Sequence, residues 1–97
     1  PTALFACNDD MAIGAIHAVY QFGLRIPDDI SVVGFDDIAI ATSIWPPLTT
    51  VRQPIRKMAI AAIDLLEKQR NGAEQDLRNV VLDYEIVFRQ SSAPPAQ

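Results

Sequence analysis

The sequence predicts an α/β fold built on parallel strands. Three observations carry that prediction: two short apolar runs at residues 2–7 and 30–35, the second rich in β-branched residues, a helical apolar period between them at 11–22, and an acidic turn closing each run. Strand, helix, strand in this order makes a right-handed crossover unit, whose two strands lie parallel in one sheet.

The first run, Thr2 to Cys7, is bounded by Pro1 and by Asn8-Asp9-Asp10, so it is expected to be a strand buried on both faces, with Cys7 a small buried hydrophobe near its end. A helix follows. At 100° per residue Met11, Ala12, Ala15, Val19 and Phe22 share one stripe, and Ile13, Ile16, His17 and Tyr20 share another. Two apolar stripes require two partners, so the first is assigned to the helix's own sheet and the second to an exposed patch that seeks self-association. Gly23 is placed to stop the helix in the left-handed conformation, and Pro27 follows as a second breaker.

Ile30 to Phe35 is the second strand, entered from the solvated turn Pro27-Asp28-Asp29 and left at Asp36-Asp37. Ile38 to Trp45 has no clear period and meets Pro46-Pro47, so it is expected to be an irregular loop with one helical turn at most, Trp45 serving as core plug or contact surface. Leu48 to Val51 is a short strand or connector. Pro54 then opens a helix in which Ile55, Met58, Ala59, Ala62, Leu65 and Leu66 form one face, stopped by Asn71-Gly72. Residues 73–77 are a polar loop, 79–89 form one bent strand or two short ones, and 91–97 are expected to be a frayed tail.

Composition narrows the function. Ninety-seven residues allow one modest core, which excludes a multidomain enzyme, and 49% apolar with 21% charged residues excludes disorder and coiled coil. A net charge of -4 opposes phosphate backbones, and Arg25, Arg52, Arg56 and Arg78 are too scattered to form a basic stripe, so the chain alone is not expected to read DNA. One cysteine and one histidine exclude an internal disulfide and a thiolate zinc cage. No run reaches the roughly 18 apolar residues of a membrane span, and no signal peptide is apparent. Because the chain opens at Pro1 without a methionine and enters an apolar segment at once, it is expected to be a piece of a longer protein.

Chemistry is expected at the strand ends. Asn8-Asp9-Asp10 and Asp36-Asp37 both follow the C-terminal ends of predicted parallel strands, where open α/β sheets place ligands. Helix capping competes for the first group, more for Asp9 and Asp10 than for Asn8. No regular helix clearly follows Asp36, so a ligand role suits it better. Paired carboxylates also suit acid/base or magnesium chemistry, but the only lysines, Lys57 and Lys68, lie on one helix's polar side. No phosphate loop, nucleophile elbow or His/Cys constellation is present, and His17 on a helix face is a poor base for Ser31 or Ser43. No catalytic residue, metal or cofactor is therefore expected.

Four ordered segments become specific together: Pro1 to Asp9, Met11 to Ala15, Gly23-Leu24-Arg25-Ile26-Pro27-Asp28-Asp29-Ile30-Ser31-Val32-Val33-Gly34-Phe35-Asp36-Asp37, and Pro46 to Pro54. Covering nearly the whole chain, they resemble the LacI/GalR family of bacterial transcription regulators. The resemblance implies an incomplete periplasmic-binding-protein type I fold, with 1–51 and 78–90 in the C-terminal subdomain and 52–77 a crossover and helix packing on an N-terminal subdomain outside this sequence. It implies a cytoplasmic repressor that binds a sugar or nucleoside-like effector at Asn8 and Asp36, forms a homodimer or larger species, and touches operator DNA only through a separate helix-turn-helix segment. Ile13, Ser43 and Ile44 would lie at the dimer interface with Ile16, His17 and Tyr20. The arginine that many members place on the sugar is expected upstream, and Asp83 stands where proline is frequent. A periplasmic sugar receptor is the alternative reading.

Overall fold

The computed structural model describes residues 1–72 and 81–95. Its elements run β1 (Ala3–Phe5), α1 (Asp9–Gln21), β2 (Ser31–Val33), a 3-10 turn (Ala39–Thr42), β3 (Thr50–Arg52), α2 (Ile55–Arg70) and β4 (Glu85–Val87). β1 and β2 pair in parallel with Ala3 opposite Ser31 and Phe5 opposite Val33, and a parallel bridge from Val33 to Thr49 extends the pairing on the far side of β2. β3 then pairs with β4 in antiparallel fashion, Thr50 opposite Val87. The parallel α/β character expected from the sequence is present, with one antiparallel pair added.

The chain divides into two compact units, residues 1–52 with 85–97, and residues 53–84. In the first, the core comprises Ala12, Ile16 and Val19 from α1, Val32 from β2, and Ile26, Ile30, Ala41 and Leu48 from the connecting loops. The inward arc of α1 therefore lies between the two expected stripes and takes residues from both. Ile16, assigned to the outward patch, is only 6% exposed, whereas Met11 and Phe22, assigned inward, are exposed. A single helix face buries one contiguous arc, and here it centres on Ala12 and Ile16, with Ile13 half-buried and Tyr20 exposed at its margin.

Gly23 ends α1 as expected. Its φ of 75° lets its own N–H reach the Tyr20 carbonyl and the Leu24 N–H reach that of Val19, which satisfies the last turn's orphan acceptors.

Three other expectations are corrected. β1 is exposed along its length and Cys7 is exposed, because β2 is the only strand that pairs with β1 among the described residues. Residues 91–93 do not fray, while 96 and 97 lie outside the described residues. Ser91 is fully buried: its N–H donates to the Pro47 carbonyl, its carbonyl accepts from Val32, and its hydroxyl donates to the Val32 carbonyl at 2.5 Å while accepting from the Thr49 N–H. Ser91 thus supplies the neighbour that β2 needs beside Thr49, and the Ser31 hydroxyl holds Ala93 in the same way. Trp45 is 75% exposed and plugs no core.

The second unit contains α2. The expected apolar face is present in sequence, yet no residue of α2 is buried, and Ile55, Met58, Ile60, Ile63 and Leu66 are exposed. Residues 73–80, where the polar loop and the start of the last strand were expected, lie outside the described residues.

Candidate functional site

The in-register strands β1 and β2 end level with each other, so Asn8 and Asp36 each follow three residues after a member of the same pair, Phe5 and Val33. Both side chains are half-buried at this C-terminal edge.

Asn8 is the N-cap of α1. Its Oδ1 accepts from the Met11 N–H at 2.8 Å, and its extended backbone turns the chain into the helix. The capping expected more of Asp9 and Asp10 is thus performed by Asn8, whose amide keeps two N–H donors outside the cap. Asp10 is exposed in the first turn, where an acidic group suits the helix dipole.

Asp9 is fully buried. One carboxyl oxygen accepts from the Ile38 N–H at 2.8 Å, and the other accepts from the Thr50 hydroxyl at 2.6 Å. Gly34 makes room for this: a Cβ there would lie 2.3 Å from Asp9 Oδ1 and 3.0 Å from Leu48 Cδ2. Replacement by any L side chain would force one of these groups to move.

Asp36 and Asp37 have φ values of 113° and 56°. A positive φ in consecutive non-glycine residues is strained, more at Asp36, which lies outside the left-handed helical basin that aspartate tolerates. The turn is held by its backbone donors. The Asp36 N–H donates to the Val51 carbonyl at 2.9 Å, and the Asp37 N–H reaches the Thr50 hydroxyl at 3.4 Å.

The Asp37 side chain faces two guanidinium groups. Arg52 Nε donates to one oxygen at 2.7 Å and Arg89 donates to the other at 2.6 Å, while Arg89 also donates to the Leu48 carbonyl. Burial pushes the Asp37 carboxyl up, but the hydrogen bonds and charges of Arg52 and Arg89 together outweigh it and hold it below the usual carboxylate range. Hydrogen bonding to Asp37 raises Arg52 in turn.

The sequence gives no local signal for this clamp, because Arg52 and Arg89 approach from β3 and from just past β4. Asp28 and Asp29, by contrast, form the expected solvated turn, Asp29 accepting from the Arg25 N–H and lowered chiefly by that bond.

Of the residues assigned to a self-association face, His17, Tyr20 and Ser43 are exposed and Ile44 is half-buried. The Tyr20 hydroxyl contacts the Trp45 carbonyl at 3.4 Å, which brings the end of α1 to the loop carrying Ser43 and Ile44. Ile16 faces the core. No group of three or more metal-ligating side chains occurs among the described residues, and none of the described helices is long and apolar enough to cross a membrane.

Comparison with known proteins gives a consistent picture. The model for the periplasmic binding protein-like domain matches residues 1–92. The chain is 47% identical over 83 residues to the probable HTH-type transcriptional repressor ExuR of Bacillus subtilis, spanning 81% of this chain and 25% of that repressor. It is 41% identical over 91 residues to the ribose operon repressor of Haemophilus influenzae, spanning 94% of this chain and 27% of the repressor. In structure it resembles the dimeric Lac repressor with an 11-residue C-terminal deletion, with a TM-score of 0.89 and 38% identity over 99% of this chain and 35% of that one. The chain thus spans about a quarter of the length of the curated relatives it matches.

Proposed function

Because the chain belongs to the periplasmic binding protein-like domain family, in the form carried by LacI-family repressors, we propose that it is the effector-binding part of a bacterial transcriptional repressor. The effector is a sugar or nucleoside-like polyol, and Asn8 and Asp36 hydrogen-bond its hydroxyls. The observation that carries this reading is the strained Asp36-Asp37 turn, fixed at the C-terminal edge of a parallel sheet beside an asparagine with amide donors to spare. A carboxylate and an amide supply acceptors and donors together, the complement a polyol requires. That the relatives are repressors favours this reading over a periplasmic receptor.

In the full-length protein, operator DNA is contacted by a separate segment, which places it in the cytoplasm with the DNA it regulates. α2, with its apolar side chains exposed, packs on an N-terminal subdomain. The outward margin of α1 (Ile13, His17, Tyr20) and the adjoining Ser43 and Ile44 form a dimer interface, from which the burial of Ile16 removes one expected member.

The decisive experiment uses the full-length protein. A thermal-shift panel of sugars and nucleosides identifies a stabilising compound, and calorimetry compares wild type with Asp36→Ala. Loss of a charged acceptor costs about 1.5–3 kcal/mol, roughly ten- to hundredfold in affinity. Operator affinity without effector should be unchanged. Equal effector affinity in the variant rejects Asp36 as a contact.

A further inference from the structure

Asp9 is a buried carboxyl that the proposed effector contacts do not use. It lies in the first turn of α1, yet both of its oxygens face away from the helix, one toward the loop after β2 and one toward β3. Three consecutive N–H groups in that loop are tied down: Asp36 to the Val51 carbonyl, Asp37 to the Thr50 hydroxyl and Ile38 to Asp9. Two of the three lead back to Asp9, because the Thr50 hydroxyl that receives Asp37 donates its own proton to Asp9.

We propose that Asp9 is a positioning residue for the Asp36 turn: it anchors the strained backbone that presents Asp36, directly at Ile38 and through Thr50 at Asp37. The inference rests on the effector reading above only for what Asp36 does once presented. The physical requirement is independent of it, since two successive positive-φ residues persist only where surrounding bonds over-determine them. Asp9 is suited to the task because a carboxyl has two oxygens that can accept from different elements at once, and burial removes competing water. Gly34 completes the arrangement, since its missing Cβ is the space that Asp9 Oδ1 occupies.

The test is hydrogen exchange, followed by mass spectrometry, across residues 34–38 of the full-length protein, with α1 and β2 as internal references. Asp9→Ala should speed exchange at residues 36–38 at least tenfold beyond any change in the references. Asp9→Asn, which keeps an oxygen for Ile38, should restore most of the protection. Gly34→Ala should reproduce the Asp9→Ala pattern with Asp9 in place.

Asp36→Ala should leave protection at Asp37 and Ile38 unchanged while weakening the compound found in the thermal-shift panel. Unchanged exchange at residues 36–38 in Asp9→Ala, or an increase shared equally by α1 and β2, overturns the positioning role. Selective loosening in Asp9→Ala with no effect of Asp36→Ala on any panel compound leaves the positioning role standing and removes the effector reading instead.

Discussion

Asp37 shows how a single side chain ties pH to stability in this molecule. Its carboxyl is held below its unfolded-state value by Arg52 and Arg89, so the folded protein resists protonating it. The stabilisation is therefore complete above the unfolded value of about 3.9 and is lost as pH falls through the lower folded value. Urea unfolding at pH 7, 4 and 3 should show wild type losing stability toward pH 3, with Asp37→Asn losing less over the same interval. Arg89→Met should cost about 1.5–3 kcal/mol at pH 7, because Asp37 and Arg89 are both largely buried and Arg52 alone is half exposed. An acid limb equally steep in wild type and Asp37→Asn would show that the stabilisation comes from elsewhere.

At the scale of the element, α1 separates apolar periodicity from burial. Met11 and Phe22 are as apolar as Ile16, and the sequence alone assigns them to the sheet. The structure leaves both exposed and buries Ile16 against Ala12 and Val19. Ile16→Ala should therefore destabilise by about 2–5 kcal/mol, the range for truncating a buried aliphatic side chain. Met11→Ala and Phe22→Ala should stay within about 0.5 kcal/mol of wild type. Chemical denaturation of the three variants decides between the two faces, and the reverse ranking would restore the stripes read from the sequence.

For the whole molecule, the distribution of exposed apolar groups matters most. Leu4 and Phe5 on β1, Tyr20 and Trp45 near the end of α1, and five large side chains of α2 are open to solvent. Large exposed patches of this kind are expected to be covered in the working assembly. On the proposed dimer face, Ile13→Asp places a charge at the margin of α1 and should raise the dimer dissociation constant at least tenfold, about 1.4 kcal/mol. Sedimentation equilibrium on the full-length protein measures this directly. A dimer of unchanged affinity would move the interface elsewhere.

Much of this protein was determined by local sequence. Periodicity and stop residues placed both helices, with Gly23 closing α1 because only a residue tolerant of positive φ can carry both capping bonds. The two parallel strands and their acidic ends were legible because short apolar runs bounded by polar turns have few other uses, and the ordered segments around Asn8 and Asp36 indicated the family. Tertiary structure alone decided the rest. Asn8, Asp9 and Asp10 have similar capping chemistry in sequence, and only the approach of Ile38 and Thr50 from distant positions gives Asp9 its buried role and leaves the cap to Asn8. Likewise Ser91 reads as part of a polar tail until Val32 and Thr49 offer it their backbone groups. The reason is common to both: hydrogen-bonding capacity belongs to the residue, but which partner satisfies it is set by chain segments brought together across 29 to 59 positions.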